Sequence, residues 1–225
     1  MREIVLDTET TGLNPKTGDR VVEIGCVELL NHIATGETYH TYVNPERDMP
    51  AEAEAVHGLS IEFLSDKPLF ADIADDFLAF VSSSPVIAHN APFDLGFLNA
   101  ELEAAGRPIL PKDRSIDTVP LARRKFPGAQ VNLDALCRRF NVDLSARVKH
   151  GALLDSELLA EVYLELVGGR EPGLVLAANG NVGKAEVTIE TDRIVHPARP
   201  HTPSSQELSS HAQFLETIKN PIWKA

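Results

Sequence analysis

Asp7 and Glu9 stand two residues apart at the end of an apolar run, in EIVLDTETTG. Side chains two apart on a strand project from the same face, so the two carboxylates leave the strand together. The TTG after them starts a turn at the strand's C-terminal end, where open α/β sheets place ligands. Asp94 falls in the first turn of a helix that follows VIAHN, close to a second strand end. Asp155 lies one turn into a later helix among Leu153, Leu154 and Leu158, where a carboxylate is costly unless paired or metal-bound. Converging acids of this kind raise one another's pKa. Divalent cations resolve the conflict, and hard oxygen ligands suit Mg²⁺ or Mn²⁺. Two such ions ~4 Å apart stabilise both the attacking and the leaving oxygen in phosphoryl chemistry. His150, five residues before Asp155 in KHGALLD, is a candidate general base, since an ordinary histidine pKa of ~6.5 suits neutral pH. The plainer alternative is a solvated strand end with incidental acids and a surface histidine.

The elements that must position these groups read as one α/β unit over residues 1–168. EIVLD, RVVEIGCVELL and ETYHTYV are three strands in series, β-branched and aromatic enough to pair antiparallel. LFADIADDFLAFV carries an apolar helical face of Leu69, Ile73, Phe77, Leu78 and Val81. PVIAH is a strand, and Asn90 caps a helix through PFDLGFLNAELEAAG that ends at Gly106. RSIDT is a further short strand. Helices follow around TVPLARRKF and NLDALCRRF, and the last runs from GALLDSELLAEVYLELV to Gly168-Gly169. Three strands and then alternating helix and strand imply a mixed sheet with helices on its faces.

Composition narrows the function classes. The chain has 225 residues, 43% of them hydrophobic, enough for a real core, and no apolar run approaches the ~20 residues of a membrane span. The first residues lack a signal peptide's long apolar stretch, so a cytoplasmic protein is expected. Cys26 and Cys137 sit far apart in apolar segments and read as two buried thiols. Net charge is −12, and all of it lies in residues 1–168, with 27 acidic and 15 basic residues. So acidic a domain is unsuited to coating nucleic acid nonspecifically, which depends on neutralising phosphates. It remains compatible with an enzyme whose acids are neutralised by bound metal.

DTETTG, HNAPFDLGFL and HGALLDSELLAEVY, in that order, resemble the three motifs of the DEDDh group of 3′→5′ exonucleases, which have a ribonuclease H-like fold. The resemblance covers residues 1–168 and is nearest to the proofreading subunits of bacterial replicative polymerases. It implies that Asp7, Glu9, Asp94 and Asp155 hold two divalent metals, Mg²⁺ or Mn²⁺, that His150 activates water, and that nucleoside 5′-monophosphates leave a DNA 3′ end. It further implies that Thr10, Thr11 and Gly12 offer backbone N–H groups to the terminal nucleotide and that Leu13 wedges against its base. His57, in AVHGLS, either contacts that base or is a turn residue before Gly58. Asn90 is read first as a helix cap and second as a substrate contact. Arg123, Arg124 and Lys125 either meet phosphates or form a solvated helix face.

Beyond residue 168 the texture changes. GGREPGLVLAANGNVG and HPARPHTPSS have linker composition, so residues 169–206 are expected to be a flexible linker. Its start sits where such subunits carry a sliding-clamp peptide. Arg170 stands in place of the expected glutamine, while Leu174 and Leu176 remain; a plain linker is the alternative. Residues 207–225 regain helical spacing and resemble the tail that docks on the polymerase alpha subunit, with Leu215, Ile218, Ile222 and Trp223 as apolar anchors. Tethering would raise local concentration without new DNA contacts. Two alternatives stand beside the proofreading reading: an RNA-trimming or general single-strand exonuclease, and a non-catalytic replicase subunit.

Overall fold

The computed structural model describes residues 1–145, 147, 149–168 and 202–219. The strands are β1 (Arg2–Thr10), β2 (Val21–Leu30), β3 (Ile33–Tyr42), β4 (Val86–Ala88) and β5 (Ser115–Asp117). The helices are α1 (Ala51–His57), α2 (Ile61–Leu64), α3 (Phe70–Val81), α4 (Ala91–Ala104), α5 (Thr118–Lys125), α6 (Leu133–Phe140), α7 (Ala152–Val167) and, by itself, α8 (Ser205–Thr217). The sheet order is β3-β2-β1-β4-β5. β1–β3 form an antiparallel meander, while β4 and β5 run parallel to β1, which is the mixed sheet expected.

β1 is buried on both faces, and its alternation divides the core. Ile4 and Leu6 pack with Phe70 and Phe77 of α3 and Phe97 and Leu98 of α4. Val5 faces the other layer, with Leu136 of α6 and Leu159 and Val162 of α7. Burying each such side chain contributes about 1.5–3 kcal/mol. The odd positions Asp7 and Glu9 continue the face that meets α7, and the even position Thr8 continues the face that meets α4.

α7 reaches β1 because β2 carries Gly25 opposite Asp7. A Cβ at Gly25 would lie 2.2 Å from the backbone of Ala152 and Leu153, so only glycine admits the helix here. Ser156 Oγ then donates to the Gly25 carbonyl at 2.9 Å and fixes the register of α7 on the sheet. Gly25→Val should therefore push the N-terminal turn of α7 outward. Denaturant melts should show a loss of about 2–3 kcal/mol, and activity should fall further, because Asp155 lies in that turn.

β3 begins at Ile33, four residues before the expected Glu37. The connection is a two-residue turn in which Asn31 and His32 both adopt positive φ, 52° and 68°, the geometry that matches strand twist in tight hairpins. Asn-His is a weak sequence signal for it. α1 and α2 are also additional to the expected elements; α1 is closed by Gly58 at φ 79°. Cys26 and Cys137 are buried and free. Among the described residues no helix is long and apolar enough to cross a membrane.

Candidate active site

Asp7, Glu9, Asp94, His150 and Asp155 line one cleft of about 430 Å³, together with Thr8, His89, Phe93, Asn132, Leu133, Asp134 and Arg147. β1 supplies the first two acids and α4 and α7 one each, so both helical layers meet at the C-terminal end of the central strand. Asp94 is locked from below: the Thr8 amide donates to its Oδ1 at 3.1 Å and the Thr8 hydroxyl to the same oxygen at 2.8 Å. His150 sits in the loop before α7, half exposed, with its amide donating to the Val56 carbonyl at 3.3 Å. Its Nδ1 lies 3.4 Å from Asp155 Oδ2.

The electrostatics are those of a charge cluster held out of water. Burial, then repulsion from Asp94, Glu9 and Asp155, pushes the Asp7 carboxyl well above the usual range. Burial and the neighbouring Asp155 and Glu23 raise Glu9 to about 8. Burial raises Asp94 to about 7, against the lowering effect of the Thr8 hydrogen bonds. Glu9, His150 and Asp155 each offer a ligand atom, and these atoms lie within 4.8 Å of one another. With Asp7 and Asp94 lining the same cleft, its carboxylates are oxygen-rich, mutually repelling and partly open, which fits hard divalent cations.

Sequence reasoning missed Arg147 and, beside it, Asp134 of the cleft. Arg147 Nε and Nη2 each donate to Asp155, at 2.5 Å, and Nη1 bonds Asp134. Asp155 is thus an ion-paired carboxylate, the second way its burial among leucines is made tolerable. The only sequence cue was an arginine eight residues ahead of Asp155, in a loop with no periodicity.

A second cavity of about 520 Å³ adjoins the first and is lined by Thr8 to Leu13, Val56, His57 and Phe93, among others. The structure brings Thr10, Thr11, Gly12, Leu13 and His57 to this wall. Leu13 is 84% exposed, an apolar side chain free to meet a ligand. His57 is buried at the end of α1, where its Nδ1 accepts from the Leu59 amide at 3.0 Å, so Nε2 carries the ring proton. That Nε2 is buried beside the Thr10 backbone, with no hydrogen bond of good geometry. Two expectations need correction. The Thr11 amide already donates to the Arg20 carbonyl at 2.9 Å, so it is committed to the chain rather than to a nucleotide. Asn90 occupies the N-cap position in a left-handed conformation, φ 72°, and its side chain makes no capping bond. It is exposed and lines neither cavity, and its backbone N–H donates to Asp117 Oδ1 at 3.1 Å. Lys125 bonds the Glu165 carbonyl at the end of α7.

Leu215 lies on α8 and Ile218 is its C-cap. Ile222, Trp223, Arg170, Leu174 and Leu176 lie outside the described residues.

The exonuclease family of the ribonuclease T type matches residues 4–163. The DNA polymerase III subunit epsilon of Rickettsia felis is 50% identical over 225 residues, covering 97% of each chain. That of Escherichia coli K12 is 39% identical over 239 residues, covering 100% of this chain and 98% of its own. Among solved structures, exonuclease X in complex with 5′ overhanging duplex DNA is 26% identical, with a TM-score of 0.57 over 73% of this chain and 90% of that one. The nuclease domain of 3′hExo, a DEDDh family member bound to rAMP, is 17% identical with a TM-score of 0.64 over 74% and 91%, a likeness of fold. The chain belongs to the exonuclease family, in the branch of the DNA polymerase III epsilon subunits. It is a metal-dependent 3′→5′ exonuclease of ribonuclease H-like fold.

Proposed function

We propose that the chain edits DNA during replication by removing mispaired 3′-terminal nucleotides as 5′-monophosphates, with Asp7, Glu9, Asp94 and Asp155 holding two Mg²⁺ or Mn²⁺ ions. The convergence of these four acids and His150 on one cleft carries the reading. When bound, the ions neutralise the carboxylates and stabilise charge on the attacking and leaving oxygens. The chain's own residues do the rest. Thr8 holds Asp94 at a fixed height above β1, so the acids from the two layers keep their separation. His150 accepts the proton of the attacking water through a ring nitrogen, from a loop exposed enough to admit that water. His57, in the wall of the adjoining cavity, contacts the terminal nucleotide, and Leu13 packs on the base. Thr10 and Gly12 complete the wall of that cavity.

Selectivity follows from access. The cleft takes a splayed strand, and a mispaired end unpairs at lower cost than a paired one. The domain is acidic and should hold DNA weakly alone. A linker over residues 169–206 and a tail over 207–225 supply proximity instead, with Leu215, Ile218, Ile222 and Trp223 docking on the polymerase alpha subunit. The segment from Gly168 to Leu176 is the candidate contact with a sliding clamp.

The test uses 3′-labelled primers with paired, mispaired and RNA ends in Mg²⁺ or Mn²⁺. Faster release of monophosphate from the mispaired DNA end is expected; equal rates on paired and mispaired ends would remove the editing role, and preference for RNA would favour the trimming alternative. Deleting residues 170–225 should leave digestion of single-stranded oligonucleotides nearly unchanged and abolish co-purification with the polymerase. A truncated chain that still co-purifies would refute the tether.

A further inference from the structure

Arg147 makes contacts that a metal-holding acid and a general base could not both keep during the reaction. Its side chain is only 9% exposed, yet it belongs to a loop rather than to a helix or strand. The guanidinium clasps both oxygens of Asp155. Its Nη2 also lies 3.0 Å from His150 Nδ1 and 3.4 Å from Nε2. On its far side Nη1 is bonded to Asp134 of α6, a half-exposed carboxylate that also pairs with Arg138 at 3.7 Å.

We infer that Arg147 is a displaceable counter-ion, a latch that occupies Asp155 and His150 in the metal-free enzyme and withdraws to Asp134 when divalent cations take the acids. This rests on the reading that the acids bind such cations. A delocalised fork of N–H donors matches a carboxylate edge-on and satisfies both its oxygens. A hard cation needs the same oxygens. Its charge beside a guanidinium would be repelled in a site where screening is weak. One of the two must leave, and Asp134 gives the arginine a place to stay. A ring nitrogen that accepts from Nη2 cannot at the same time accept a proton from water. Release of Asp155 therefore also releases the base, so hydrolysis is coupled to metal loading, and the empty enzyme keeps its cluster neutralised.

Mn²⁺ titration of the full chain by calorimetry, wild type against Arg147→Gln, tests this. The variant should bind Mn²⁺ about tenfold more tightly, the scale of one competing contact. Its melting temperature in EDTA should fall below that of wild type, with a larger rise on saturating Mn²⁺. Equal or weaker Mn²⁺ binding by the variant would overturn the latch. Wild-type protein that binds no Mn²⁺ would instead overturn the metal reading beneath it. Should the variant not fold, the arginine side-chain resonances of ¹⁵N-labelled wild type decide the matter: Arg147 Nε–H must shift on Mg²⁺ addition, and a resonance that stays in place removes the proposal.

Discussion

Replacing Asp7 and Glu9 together with Ala should cut nucleotide release from a 3′ end by about a thousandfold or more, while the metal-free protein melts no lower than wild type. The two outcomes share one cause. Both side chains sit on the β1 face that meets α7, yet neither packs the core; the apolar work on that face is done by Val5, two residues before Asp7. Burial and repulsion from Asp94 and Asp155 already make their ionised forms unfavourable, and Glu9 adds to the repulsion at Asp7. Truncation removes that penalty along with the metal donors. Loss of activity with loss of fold would mean that the acids are structural. His150→Ala makes the contrasting case. Its removal should cost about 10²–10⁴ in rate, as for a lost general base, but should leave Mn²⁺ binding measurable, because the four carboxylates remain. Calorimetric Mn²⁺ titration separates the two: the double variant should show no binding and the histidine variant should show it. Unchanged turnover of the histidine variant near neutral pH would dismiss it as the base.

The site acids were legible because strand periodicity and helix phase are local. Asp7 and Glu9 fall on one face by the twofold repeat of β1, and Asp94 and Asp155 fall in the first turns of helices whose apolar faces fix their rotation. What closes the site is not local. Arg147 reaches Asp155 from a loop without periodicity, and its grip on Asp134 depends on how α6 stacks against α7. Gly25 read as an ordinary residue of a strand, and its role appears only when α7 lies across it. The same limit explains Thr11. Sequence places it beside the acids, but whether its amide is free depends on Arg20, nine residues on, across the turn between β1 and β2. The short helices α1 and α2 escaped because four to seven residues hold too few turns to show a period. His57 could be placed beside the acids only through α1, which explains why contact and turn readings stood level in the sequence.

The metal-free protein should become less stable as pH rises from about 5 to about 8, and Mg²⁺ or Mn²⁺ should reverse that loss. The acids set the sign. Glu9, raised to about 8, and Asp94, raised to about 7, bind protons more tightly in the folded state than in the unfolded chain, and Asp7 is displaced in the same direction. Where the folded state holds more protons, raising pH favours unfolding. The stabilising contribution of these protons is complete below the ordinary carboxylate range and disappears as pH passes through 7 to 8. Across that window each such acid is worth up to about 1.4 kcal/mol per pH unit. Histidines work in the opposite sense: burial lowers His57 and His89, which favours the folded state as pH rises through their ordinary range. Buried carboxylates at the cleft outnumber them, so the net slope stays negative. Metal replaces the protons, and the gain in melting temperature on adding Mn²⁺ should therefore be greatest at pH 8 and smallest near pH 5. Melts at four or five pH values, with EDTA and with Mn²⁺, measure both slopes. A metal-free protein whose stability climbs between pH 5 and 8 would show that these carboxylates are ionised and at ease in the fold, and would leave the cleft no electrostatic reason to take up a cation.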